Sequence, residues 1–286
     1  MATAAKIRHR SAPPAKKAKL GQNFLIDFDA AQKIVDALGD ISQSTVVEIG
    51  PGKGVITKLL AERAAKLIAI ELDRTLTAQL RMNFARQHHV EILEADVLKV
   101  DCDSLVQGRA KQITTAPQGM PKRVARVVGN LPYYITSDIL LKLFECHTNF
   151  DRVVIMVQKE VADRIAASPG SSDYGLVSAT CQLYADVELL FTLPPQAFSP
   201  PPKVHSTVLR MRITPKAADL GVNADAFIAF LKLCFGQKRK TLFNNLKDKF
   251  PAEDVRQAVS AAGASPDVRA EALDLKCMAR VFQRLS

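Results

Sequence analysis

The chain has 286 residues, 48% of them hydrophobic, and a formal net charge of +10. That length holds one large domain and a small one with ample core, and no run of eighteen or more uncharged apolar residues offers a membrane span. Five scattered cysteines (Cys102, Cys146, Cys181, Cys234 and Cys277) form no C-x-x-C pair, and only His88 and His89 are neighbouring histidines, so neither a disulfide framework nor a metal site is expected. The thiols read as reduced and the compartment as cytoplasmic.

Charge is spread unevenly. Residues 1–20 hold six Lys or Arg, among them Lys16, Lys17 and Lys19, and no acid. This stretch lacks apolar periodicity, contains Pro13-Pro14 and is expected to be a disordered basic tail. A short organelle transit peptide is the second reading, and no apolar signal-peptide core is present near the start. A further basic cluster, Lys238-Arg239-Lys240 with Lys247 and Lys249, sits far along the chain. Separate basic clusters suit a polyanion, most simply nucleic acid; a solubilising tail and a solvated helix face would use the same residues.

After Gly21-Gln22-Asn23-Phe24-Leu25, a helix is predicted from Asp29, with Ala30, Ile34, Val35 and Leu38 on one face and Gly39 ending it. The strand Thr45-Val46-Val47-Glu48-Ile49 runs into Gly50-Pro51-Gly52-Lys53-Gly54 and then a helix with Ile56, Leu59, Leu60 and Ala64 inward. Such a strand–glycine loop–helix unit lets a ligand approach the backbone at a helix N-terminus. The spacing is G-x-G-x-G, not the dinucleotide fingerprint, and no Lys-Ser/Thr follows as in a P-loop. The next strands, Lys66–Ile70 and Val90–Leu93, end in Glu71 and in Glu94-Ala95-Asp96. Acids at three successive strand tips beside a glycine loop (Glu48, Glu71, Asp96) favour a cofactor bearing an amino group, a ribose and a positive charge over one rich in phosphate. Glu71 stands where an acid accepts from ribose hydroxyls. Residues 103–123 read as a surface insertion.

A buried β-branched strand then ends at Asn130-Leu131-Pro132-Tyr133-Tyr134, because Pro132 cannot donate to a ladder and biases Leu131 away from the helical region. The pentapeptide offers an amide side chain, a backbone carbonyl and an aromatic face at the carboxyl edge of a sheet, where open α/β folds bind ligands. An exocyclic amino group of a base needs two acceptors and a stacking surface, which these residues supply; a tight turn whose aromatics only pack is the other reading. A helix over 135–144, a fifth strand over 152–157 and a helix over 158–167 follow. Two strand-like runs, 187–193 and 204–213, flank Phe198-Ser199-Pro200-Pro201-Pro202-Lys203 and read as a terminal hairpin. Phe198 is a candidate second wall for a flipped base or a core residue of that loop. Beyond Pro215 the pattern is helical: Phe227, Phe230, Leu231 and Cys234 share one face, a basic helix carries Lys238, Arg239 and Lys240, a third starts at Pro251 and a fourth at Asp274. The expected division is a tail (1–20), an α/β domain (21–214) and a helical domain (215–286).

Val46-Val47-Glu48-Ile49-Gly50-Pro51-Gly52-Lys53-Gly54 resembles motif I of class I methyltransferases, and Asn130-Leu131-Pro132-Tyr133 resembles motif IV of enzymes that methylate adenine N6. With Lys19–Leu25, Phe198–Val204 and Gln237–Lys240, the chain from about residue 16 onward resembles the bacterial small-subunit rRNA adenine dimethyltransferases. The resemblance implies a Rossmann-like, mostly parallel seven-stranded sheet with a C-terminal β-hairpin, followed by a small all-α domain. It implies S-adenosyl-L-methionine as cofactor, held by Gln22, Asn23, Leu25, Glu48, Gly50, Gly52, Glu71 (ribose), Asp96 (adenine amino group) and Asn130. Catalysis would fall to Asn130, Leu131, Pro132 and Tyr133, base stacking to Tyr133 and Phe198, and RNA contact to Lys16, Lys17, Lys19, Lys203, Lys238, Arg239 and Lys240. The implied activity is dimethylation of N6 on two adjacent adenines in a hairpin near the 3′ end of small-subunit rRNA, by a monomer acting on a 30S-like precursor and coupled to its maturation. The 103–123 segment and the long tail depart from the family pattern. Rival readings are a large-subunit rRNA adenine methylase, a DNA adenine methylase and a mainly non-catalytic ribosome-assembly factor.

Overall fold

The computed structural model describes residues 23–107, 125–132 and 135–286. Gln22, Lys16, Lys17, Lys19, Tyr133, the basic tail and most of the 103–123 insertion lie outside the described residues.

A short strand, β1 (Phe24–Leu25), precedes helix α1 (Phe28–Asp36), whose start is capped by the Asp27 carboxylate accepting from the Ala30 amide at 2.9 Å. Three β–α units follow: β2 (Thr45–Ile49) with α2 (Val55–Arg63), β3 (Lys66–Glu71) with α3 (Arg74–Asn83), and β4 (Val90–Glu94) with α4 (Cys102–Gln107). Then come β5 (Ala125–Asn130), α5 (Thr136–Glu145), β6 (Phe150–Gln158), α6 (Lys159–Ala166), α7 (Leu176–Tyr184), β7 (Ala185–Leu193), the two-residue β8 (Phe198–Ser199) and β9 (Ser206–Ile213).

Seven strands form one sheet in the order β4-β3-β2-β5-β6-β9-β7, with only β9 antiparallel to its neighbours. This is the mostly parallel α/β sheet with a terminal antiparallel pair that the sequence predicts. Parallel strands are covered on both faces, which is why β2 and β5 each carry two consecutive valines, Val46-Val47 and Val127-Val128. Val46 and Val128 enter one core with α1, α2 and Leu80 of α3, whereas Val47 and Val127 enter another with α5 and α7. Strand order reverses between β2 and β5, so a crevice opens beyond their carboxyl ends.

The chain ends in α8 (Ala224–Cys234), α9 (Leu242–Leu246), α10 (Ala252–Ala261) and α11 (Leu275–Leu285). The rings of Phe227 and Phe230 lie 5.5 and 5.4 Å from Phe282. Their apolar cluster is continuous with the α5/α7 face of the sheet, where α7 packs against α8, so the helices share a core with it.

Two expectations need correction. Residues 237–240 form a turn and not part of a helix, which begins only after Thr241, whose hydroxyl accepts from the Asn244 amide. Asn245 shapes that turn by accepting from the Gln237 amide and donating to the carbonyls of Cys234 and Gln237. Cys146 is disulfide-bonded, whereas Cys181, Cys234 and Cys277 are free thiols as expected. Spacing along the chain does not report cysteines that folding brings together.

Candidate active site at the carboxyl edge of the sheet

The crevice between the tips of β2 and β5 holds a cavity of 270 Å³. Its floor is the glycine loop. Gly52 takes φ +57°, and a Cβ there would stand 2.8 Å from Cδ1 of Phe24, so only glycine lets that ring settle on the loop.

Glu71 ends β3 on the cavity wall, 4% exposed. Its Oε2 accepts from the Gly52 amide at 3.1 Å and its Oε1 from the Asp73 amide at 2.9 Å. One carboxylate thereby ties the glycine loop to the start of α3, and each oxygen keeps acceptor capacity for hydroxyl groups. Asp96, past β4, also lines the cavity; its Oδ1 accepts from the Leu98 amide at 3.1 Å, and Lys99 lies 3.7 Å from Oδ2. Ile70, Leu72, Ala95, Val97 and Ile139 make the wall between these acids apolar.

Glu48 is placed differently. It points behind the loop toward Thr57 of α2, is 2% exposed, and does not line the cavity. Burial, opposed in part by the neighbouring Thr57 hydroxyl and helped by the nearby Glu71 charge, pushes its carboxyl up to about 8, and its Oε2 has no hydrogen-bond partner among the described residues.

Asn130 closes β5 at the opposite wall, followed by Leu131 and Pro132. Its Nδ2 donates to the Asn23 carbonyl at 3.1 Å, and among the described residues the amide oxygen has no such partner. The Leu131 amide is spent on the Met156 carbonyl at 3.1 Å, while the Pro132 carbonyl takes the Ile135 amide and the Thr136 hydroxyl.

Of the motif before α1, Asn23 lines the cavity but Leu25 is core. Phe24, passed over in the sequence reading, lines it instead. Strand alternation carries the missing signal: if Leu25 enters the core, its neighbour faces the other way. Phe198 pairs with Leu25 across β1 and β8, is 2% exposed and joins the same core cluster. Its ring has no free face for a base, so of its two readings the structure favours core packing.

The exposed basic residues converge in part. Lys238 donates through Nζ to the Ser172 carbonyl, and Lys203 borders a surface depression with Asp173, so two positions far apart in sequence flank one loop. Arg239 and Lys240 are exposed beside Lys238. Among the described residues no cluster of His, Cys, Asp or Glu is arranged for a metal ion, and no helix is long and apolar enough to cross a membrane.

The cavity has carboxylates for hydroxyl and amino groups, an apolar slot between them, and no Lys or Arg among its described lining residues. Those donors and acceptors fit a cationic nucleoside and not a phosphate ester. A family model described as ribosomal RNA adenine dimethylase matches residues 14–286. The chain is 58% identical over 276 residues to a protein of Koribacter versatilis named ribosomal RNA small subunit methyltransferase A, covering 96% of each chain. A protein of the same name from Acidobacterium capsulatum is 52% identical over 270 residues, 94% of this chain and 91% of that one. Among solved structures, a dimethyladenosine transferase from Plasmodium falciparum matches with a TM-score of 0.71 at 24% identity, over 90% of this chain and 95% of that one. The 23S rRNA methyltransferase ErmE matches with a TM-score of 0.68 at 24% identity, over 92% and 99%. At that identity both speak for the fold alone. The chain belongs to the ribosomal RNA adenine dimethylase family, enzymes that take their methyl groups from S-adenosylmethionine.

Proposed function

We propose that the protein dimethylates N6 of two adjacent adenines in a hairpin near the 3′ end of small-subunit rRNA, as a cytoplasmic monomer acting on a 30S-like precursor and coupled to its maturation. The small-subunit name of relatives up to 58% identical favours this substrate over large-subunit rRNA. The observation that carries the chemistry is the Asn130 amide at the cavity wall, anchored by its nitrogen; the oxygen is then the end left to meet the target amino group.

Glu71 would hold the donor's ribose hydroxyls and Asp96 its adenine amino group, with Asn23, Gly50 and Gly52 along the remainder and Gln22 closing over it; Leu25 would support this from the core. The donor supplies a methyl group on a positively charged sulfur. The N6 lone pair of the target adenine is delocalised into its ring and is a poor nucleophile. Asn130 Oδ1 and the Leu131 carbonyl, both accepting from the amino group, favour its pyramidal form and aim the lone pair at the methyl carbon. Positioning then does more than basicity, and the displaced proton leaves to water. The base is flipped out of its RNA context first, and stacking on Tyr133 returns about 1–3 kcal/mol. Lys16, Lys17, Lys19, Lys203, Lys238, Arg239 and Lys240 would contact phosphates without reading sequence.

Transfer of labelled methyl to small-subunit precursors, and not to large-subunit particles or DNA, is the expected result. Asn130→Ala should lower transfer by roughly 10²–10³-fold with donor binding intact. Near-wild-type turnover in that variant would remove the acceptor role, and labelling of large-subunit particles would move the substrate.

A further inference from the structure

We propose that Phe24 is a positioning residue for methyl transfer: its ring, seated on the glycine loop, keeps the Asn23 carbonyl where it turns the Asn130 amide the right way round. This rests on the acceptor role given to Asn130 above.

The two ends of a primary amide are nearly equal in shape, so only a partner decides which end faces a ligand. That partner is the Asn23 carbonyl, 3.1 Å from Asn130 Nδ2. With the amide reversed, Oδ1 would oppose a carbonyl oxygen and the NH2 group would meet the adenine amino group, donor against donor. The polarity of the acceptor therefore depends on where Asn23 sits.

Little else among the described residues fixes Asn23. It precedes a two-residue strand, paired only through Phe24↔Ser199 and Leu25↔Phe198, and strands this short hold poorly by themselves. The amides of Ile26 and Asp27 add bonds to the Ala197 carbonyl, but on the far side of β1. The Phe24 ring supplies the missing anchor. It rests on Gly52, close enough that a Cβ there would collide at 2.8 Å, and Lys53 Nζ lies 4.9 Å from its centroid. Gly52 is itself held by Glu71. Contacts thus run from Glu71 through Gly52 and Phe24 to Asn23 and Asn130, joining the donor's cradle to the acceptor amide. A residue that only walled the donor would affect donor affinity; one that also sets the amide must affect the rate once donor is saturating.

The test compares full-length wild type with Phe24→Ala, Phe24→Leu and Phe24→Tyr. Single-turnover transfer to the RNA substrate at saturating donor, donor affinity by calorimetry, and the Asn130 side-chain NH2 resonances in ¹⁵N spectra (assigned by their absence in Asn130→Asp) are measured on each. Phe24→Ala should lower the saturating rate by roughly 10- to 100-fold and shift the Asn130 NH2 resonances. Phe24→Leu, which keeps apolar bulk in case the alanine variant does not fold, should lose rate in the same direction, and Phe24→Tyr should recover it. Weaker donor binding in the leucine variant, with unchanged saturating rate and unmoved resonances, would overturn the proposal. Undiminished transfer by Asn130→Ala would instead sink the acceptor reading beneath it.

Discussion

Glu48 and Glu71 lie near the carboxyl ends of neighbouring parallel strands, 2% and 4% exposed, yet their surroundings treat them in opposite ways. Glu48 pairs in register with Ala69, so Glu71 stands two residues further out, beyond Ile70, whose carbonyl takes the Gly50 amide. That offset gives Glu71 two backbone N–H donors and a face on the cavity. Glu48, one residue short of its strand's end, is turned by the pleat toward α2 and left with an oxygen unpaired among the described residues. Burial alone does not tell what a carboxylate will do. The donors that surround it decide whether its oxygens are held in place to receive a ligand.

The sharpest way to break this contrast is Glu71→Ala. It removes the ribose acceptor and leaves the Gly52 and Asp73 amides unpaired, so donor binding should disappear in calorimetry and stability should fall by roughly 2–4 kcal/mol. Retained donor affinity would mean that Glu71 is structural only. Glu48→Gln should act through pH instead. An ordinary glutamate releases its proton near 4.5, whereas Glu48 holds it to about 8. Between those values the unfolded chain binds fewer protons than the folded one, so stability falls as pH rises, by up to ~1.4 kcal/mol per unit, and levels off above 8. Urea unfolding from pH 5 to 9 should show that slope in wild type and a flatter one in Glu48→Gln; identical slopes would contradict the protonated reading. The smallest effect lies away from both acids. Replacing Lys238, Arg239 and Lys240 by Ala should leave donor binding and the pH slope unchanged while reducing the salt dependence of RNA binding by up to roughly two to three in log–log slope. An unaltered slope would place the RNA on another face.

By itself the sequence determined what neighbours along the chain control. Apolar periodicity, the glycine turn and the proline after Asn130 placed the strands, the loop at the switch point and the helical C-terminal part, because turn chemistry and the alternation of faces are local. They also brought Glu71, Asp96 and Asn130 to one edge, since parallel strands end on the same side. Only the tertiary structure decided which side chains face the cavity. Glu48 turns behind the loop, Phe24 replaces Leu25 at the wall, and Phe198 is buried, because register across strands and the β1–β8 pairing join residues more than 170 positions apart. The basic cluster bends into a turn because the Asn245 side chain, folded back onto it, takes the Gln237 amide and donates to the Gln237 carbonyl in place of the helix that composition suggested. Such contacts are made in space, and no pattern of neighbouring residues encodes them.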